Sequence, residues 1–236
     1  MADVPATSPL NAATNQAARA QRLMAAIHPV CSHDLPNQVV ALQSLLQLFE
    51  WDEADHMTEQ GREHFSRLRS IAAKTFAHVQ FLREIARLQR HVPERARLTF
   101  AQVHDDVRAE IQQRLSESTW QWDVQWNVER LVADRRLVQL GVMQLLRGAC
   151  GAGPATWRIG MHTASKNDGV EWTIAARLQG DATPAASEAA LLEQRLALVL
   201  AQEYLAATDI ACRPAEGSAP GATVFSLTLA NRLTHG

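Results

Sequence analysis

Cys31-Ser32-His33-Asp34-Leu35-Pro36-Asn37-Gln38 opens the run on which the fold turns. From Leu35 onward, Val39, Leu42, Leu46 and Phe49 follow at alternating spacings of four and three. That is the period of a helix packing along a seam against other helices. On this heptad His33 falls outside the seam, Asn37 stands one turn further along the same face, and Asp34 lies about 100° around the helix. Imidazole is nucleophilic near neutral pH and can accept a phosphoryl group. An adjacent carboxylate can hold one ring nitrogen as N–H, and an amide one turn away can orient a water or an incoming carboxylate. The same spacing also suits an ordinary surface histidine. Pro36, inside the helix, should free the carbonyl of Ser32 and kink the axis beside His33.

The first long helix is expected to start in the alanine-rich stretch Ala13 to Ile27, bend at Pro29 and Pro36, and run to about Trp51. Residues 1–12, small and polar with Pro5 and Pro9, read as a disordered leader. A polar turn, Asp52-Glu53-Ala54-Asp55, leads to a second long helix from about Met57 to Gln89. On it Phe65, Leu68, Ala72, Thr75, Val79, Leu82 and Ala86 keep the three-four spacing. Two such helices make an antiparallel hairpin over 13–92. Its seam is too long for the hairpin to cover alone. A homodimer forming a four-helix bundle covers it, and packing on the next domain is the other solution.

Beyond the short linker around Pro93 the texture changes, and residues 93–236 read as a second domain. Arg97-Leu98-Thr99 is a brief strand, and Val103, Val107, Ile111 and Leu115 mark a helix. Trp120, Trp122, Val124 and Trp126 alternate with polar residues, the period of a half-buried strand. Arg130-Leu131-Val132 is another strand, and Asp134 caps a helix running to about Cys150. Strands over Thr156–Thr163 and Val170–Leu178, a helix over Leu191–Leu205, and strands at Ile210–Arg213 and Val224–Leu229 complete the domain. The fold class is therefore α+β, a helical hairpin followed by an α/β sandwich with helices on one face.

A net charge of −2 gives no footprint for nucleic acid, and no run approaches a membrane span. The N-terminus lacks the basic-then-apolar order of a secretory signal, and Cys31, Cys150 and Cys212 lack metal or disulfide spacing. A cytoplasmic protein is expected. His56, His64 and His78 have no ligand-like spacing, and Arg83, Arg87 and Arg90 read as a solvated helix face.

His33-Asp34-Leu35-Pro36-Asn37 resembles the H-box of two-component histidine kinases, a histidine followed by an acid and, four residues on, by Thr or Asn. Gln38 replaces the family's usual proline, and Pro36 supplies one two residues earlier. The resemblance implies that the hairpin is the dimerisation and phosphotransfer module, and that the second domain is similar to the family's ATP-binding domain. That domain departs from the pattern. Where asparagines reach magnesium and phosphate, this chain has Gln144 and Gly148. Leu178-Gln179-Gly180-Asp181-Ala182-Thr183-Pro184 stands for the Asp-x-Gly-x-Gly element, and Arg195-Leu196-Ala197-Leu198 for the Gly-x-Gly-Leu ahead of the late helix. Phosphoryl transfer from ATP rests on positioning and charge neutralisation, so the domain is expected to be degenerate, with ATP binding lost and no cofactor of its own. No sensory domain is expected ahead of the H-box.

The resulting expectation is a histidine phosphotransfer protein of a phosphorelay. His33 is the phospho-acceptor, Asp34 orients the imidazole, and Asn37 contacts the partner's acidic pocket. The partners are response-regulator receiver domains, which bring their own Mg2+, with a hybrid histidine kinase as a second candidate. The alternatives are a non-catalytic protein that sequesters a kinase or regulator, a response-regulator phosphatase that uses Asp34 and Asn37, and a residual ATP-dependent kinase.

Overall fold

The computed structural model describes residues 29–53, 55–114, 118–150, 155–167, 169–179, 187–215 and 222–230. The leader over 1–12 and the helix expected from Ala13 to Ile27 lie outside the described residues. The chain divides into two compact units that part between Arg90 and His91.

In the first unit a π-helical turn, Val30–Asp34, runs directly into α1, Leu35–Glu53, and a short turn leads to α2, Glu59–Arg90. Thr58 sets the start of α2 slightly later than the apolar pattern implies, its Oγ1 accepting the Gly61 N–H at 3.1 Å. Pro36 and Val39 on α1 and Phe65, Ala72 and Val79 on α2 are buried. The Phe49 and Phe65 rings meet at 5.5 Å, and Arg69 donates to Glu50 at 2.6 Å.

The seam is only half covered. Leu42 and Phe49 on α1 and Leu68 and Leu82 on α2 are exposed, as are Leu45 at 63% and Ile71 at 60%. The less exposed positions of α1 (Leu35, Pro36, Val39, Gln43, Leu46 and Glu50) form one narrow face. A single partner helix covers one such face, and the heptad is wider than that.

The second unit follows the order read from the sequence. It comprises β1 (Arg95–Thr99), α3 (Phe100–Arg114), β2 (Thr119–Trp126), β3 (Arg130–Asp134), α4 (Arg135–Cys150), β4 (Thr156–Lys166), β5 (Gly169–Gln179), α5 (Glu188–Ala206), β6 (Ile210–Pro214) and β7 (Ala222–Ala230). β1 and β3 pair antiparallel as a ribbon, and the other strands form one sheet in the order β2-β4-β5-β7-β6. Among the described strands of this sheet only β2 and β4 run parallel, and one row crosses the sheet through Trp126, Thr163, Trp172, Leu227 and Cys212.

Period-two alternation puts Ile159, Met161, Trp172, Ile174 and Leu227 on one buried face. Val103, Val107 and Ile111 of α3, Val142 and Leu146 of α4, and Leu205 of α5 close the core against it. Phe100 joins the layers, stacked on Trp126 at 5.9 Å and edge-on to Trp172 at 5.1 Å. Trp120, Trp122 and Trp126 pack against this core as their alternation predicts, while Val124 between them is exposed at the sheet edge.

Candidate functional site

His33 and Asp34 lie in the π-helical turn, and Asn37 lies in the first turn of α1. The Leu35 N–H bonds to the carbonyl of Val30, five residues back. Pro36 has no N–H to donate to the carbonyl of Ser32, and a wider turn at this point absorbs the gap. The break expected from Pro36 is therefore a π turn that contains His33. Pro36 itself is buried, while His33, Asp34 and Asn37 are all exposed. Among the described residues no hydrogen bond ties Asp34 or Asn37 to the imidazole. The arrangement presents a nucleophilic ring, a carboxylate and an amide outward on one short stretch. Asn37, Ser44 and Trp51 continue that side of α1 at seven-residue spacing, Trp51 with 83% of its surface open.

The second unit bears on ATP. Gln144 and Gly148 stand on α4, and Gly180 to Pro184 lie outside the described residues. Arg195-Leu196-Ala197-Leu198, set against the family's Gly-x-Gly-Leu, lies within α5, in the helix read over Leu191–Leu205, and so does not form a loop ahead of it. Ser187 caps α5, its Oγ accepting the Ala190 N–H at 3.2 Å, and this starts the helix at Glu188, three residues before the expected Leu191. α5 packs on α4 through two glycines. A Cβ at Gly141 would come within 2.7 Å of Leu205, and one at Gly148 within 2.5 Å of Leu198. The pairs repeat at seven residues on each helix. At Gly148 the two helices leave no room for a methyl group unless Leu198 moves.

No protein-family model matches the sequence, and no curated protein does. Solved structures match. The Acinetobacter baumannii histidine kinase AdeS aligns over 85% of this chain and 98% of its own, with a TM-score of 0.52 at 13% identity. The fold is that of a histidine-kinase core. The histidine kinase ThkA, in a structure with the response regulator protein TrrA, aligns over 92% of this chain and 66% of its own, with a TM-score of 0.51 at 11% identity. Full-length ShkA in complex with AMPPNP aligns over 90% of this chain at 17% identity and a TM-score of 0.52. The match spans 47% of the ShkA chain. At such identities the likeness carries the histidine-kinase fold alone. Among the described residues no helix is long and apolar enough to cross a membrane.

Sequence reasoning missed one polar centre. Asp134 caps α4 as read, its Oδ1 accepting the Leu137 N–H at 3.0 Å. Its Oδ2 also takes His91 Nε2 and the Glu94 N–H, both at 2.8 Å. Burial raises the Asp134 pKa, but the His91 bond and the N–H groups of Leu137 and Glu94 outweigh it, and the carboxyl sits below its ordinary value. His91 and Asp134 are 43 positions apart, and no local pattern links them.

Proposed function

We propose that this chain is a histidine phosphotransfer protein of a two-component phosphorelay, acting on His33 without an ATP-dependent kinase activity of its own. The observation that carries the reading is His33 standing exposed in a proline-enforced π turn, beside Asp34 and Asn37, at the start of a histidine-kinase-like hairpin. A ring-nitrogen lone pair attacks the phosphorus of a receiver's aspartyl phosphate. The N–P bond forms, the aspartyl O–P bond breaks, and the receiver recovers its carboxylate. The proton on the other ring nitrogen stays beside Asp34 or passes to solvent. The reverse step loads a second receiver. Mg2+ comes with the receiver, and Asn37 lies where it can meet that acidic pocket.

A receiver as partner is supported by ThkA, a protein of the same fold seen with a response regulator. The exposed side of α1 that continues from Asn37 to Trp51 supports a docking face next to His33. The open apolar stripe of Leu42, Leu45, Leu68 and Ile71 supports a second copy completing a four-helix bundle. The contact of Leu198 over Gly148 supports the loss of ATP chemistry. Incubation with phosphorylated receivers in the absence of ATP tests the reading. Label should appear on the parent and not on His33→Gln. Label retained by that variant would overturn it. Release of free phosphate that depends on Asn37 would favour a phosphatase instead.

A further inference from the structure

Where α1 turns into α2, the first unit leaves a cavity of about 550 Å3, within the size range of small-molecule sites. Phe65 and Met57 supply its apolar part. Phe65 is 7% exposed and is backed by Phe49, whose ring lies 5.5 Å away. Arg62, Ser66 and Arg69 also line the cavity and follow one another on α2 at spacings of four and three, so they share one wall. Glu50, near the end of α1, and Asp55, in the turn, bring carboxylates to it. Arg69 donates to Glu50 at 2.6 Å and ties the two helices together beside it. At about 100° per residue, Arg62, Ser66 and Arg69 fall to one side of Phe65, and the exposed Leu68 and Ile71 fall to the other. A second copy covering the apolar stripe would therefore leave this wall open.

We infer that this cavity binds a small zwitterion with an apolar body, the chemistry of an apolar α-amino acid or a short peptide. The lining carries two guanidiniums and two carboxylates, so its formal charge is zero. A net anion would set its charge against Glu50 and Asp55, and a net cation against Arg62 and Arg69. A molecule with one charge of each sign meets both. Its carboxylate goes to the α2 wall, where Ser66 adds a hydroxyl donor between the two arginines. A guanidinium has five N–H donors, so Arg69 keeps Glu50 and still donates. The ammonium goes to Glu50 and Asp55, whose ionised carboxylates only accept. The apolar body covers Phe65 and Met57, and the water it displaces supplies the hydrophobic gain. The inference stands whether or not His33 carries phosphate.

Titration of the full chain, followed by amide NMR, tests it with phenylalanine, leucine and the dipeptide phenylalanyl-leucine as probes. At least one should bind saturably, with a Kd of about 1 mM or tighter. It should shift amides of residues 62–69 and leave those of β4 and β5 unchanged. Tighter binding of the dipeptide points to a peptide ligand, and tighter binding of an amino acid to a free one. Analogues of the bound probe that lack the amino or the carboxyl group should each bind at least about tenfold more weakly. Ser66→Phe, which fills the cavity from an exposed position on α2, should abolish the shifts with helix content retained. Arg62→Gln, a milder change, should weaken the probe and move the preference toward its carboxyl-free analogue. No saturable shift with any probe would overturn the inference. Equal affinity for both analogues and the probe would also overturn it, since the cavity would then be an apolar slot only. Binding unaltered by both substitutions would overturn it as well.

Discussion

Leu198 lies over Gly148, with 2.5 Å between its Cδ2 and the point where a Cβ on that glycine would stand. The contact leaves no room for a side chain at position 148, the place where the resemblance implies an asparagine. Restoring Gly148→Asn should therefore not restore a nucleotide site. It should force Leu198 and the Gln194 carbonyl aside and destabilise the second unit by about 1–3 kcal/mol. Thermal unfolding reads the loss, and calorimetry with Mg-ATP should show no binding in parent or variant. Saturable binding in the parent would contradict this.

The Asp134 carboxyl titrates below its ordinary value when folded. A depressed carboxyl contributes stability that is present above the unfolded pKa, about 3.9, and is lost as the pH falls through the folded value. Asp134→Asn should cost about 2 kcal/mol at pH 7, where a charged acceptor and a helix cap are both weakened. The gap between parent and variant should narrow steadily from about pH 5 downward. Urea unfolding at several pH values measures it, and a gap independent of pH would refute the assignment.

The hairpin exposes Leu45 and Ile71 far more than a lone surface would be expected to. Light scattering should report a dimer for the parent and a monomer for the pair Leu45→Glu and Ile71→Glu, with helix content retained. A monomeric parent would contradict the four-helix bundle.

Pro36 is the reason for the wide turn around His33. Pro36→Ala supplies the missing N–H, allows an ordinary α turn, and rotates His33 relative to Asn37. Phosphoryl transfer should fall about tenfold or more, because small misplacements of a reacting group are costly. Stability of the hairpin should hold or rise. Unchanged transfer would show that the turn geometry is immaterial.

Trp51 shares a side of α1 with Asn37. Trp51→Ala should weaken receiver binding by an amount typical of an exposed aromatic anchor, about 1–2 kcal/mol, while leaving the oligomeric state alone. Titration of a labelled receiver measures it.

Much of this was legible in the sequence because it depends on local pattern. The three-four spacing marks the hairpin, the alternation through Trp120 to Trp126 marks a half-buried strand, and Asp134 marks the start of a helix. The shape of the turn at Pro36 was less legible: a missing N–H predicts a break, but whether the chain kinks or widens depends on what buries the proline. The helix read over Leu191–Leu205 was legible from its apolar run, and only its first turn escaped, because Ser187 caps it ahead of that run. The fit of Gly141 and Gly148 under Leu205 and Leu198, and the grip of Asp134 on His91, join residues 43 to 64 positions apart. Periodicity carries no information at that range.

The most direct measurement is transfer from a panel of receiver domains carrying labelled aspartyl phosphate, with parent, His33→Gln and Asn37→Ala compared and no ATP present. The account predicts acid-labile label on the parent, none on His33→Gln, and rapid transfer for at least one receiver. Label that persists in His33→Gln, or no transfer from any receiver, would contradict it.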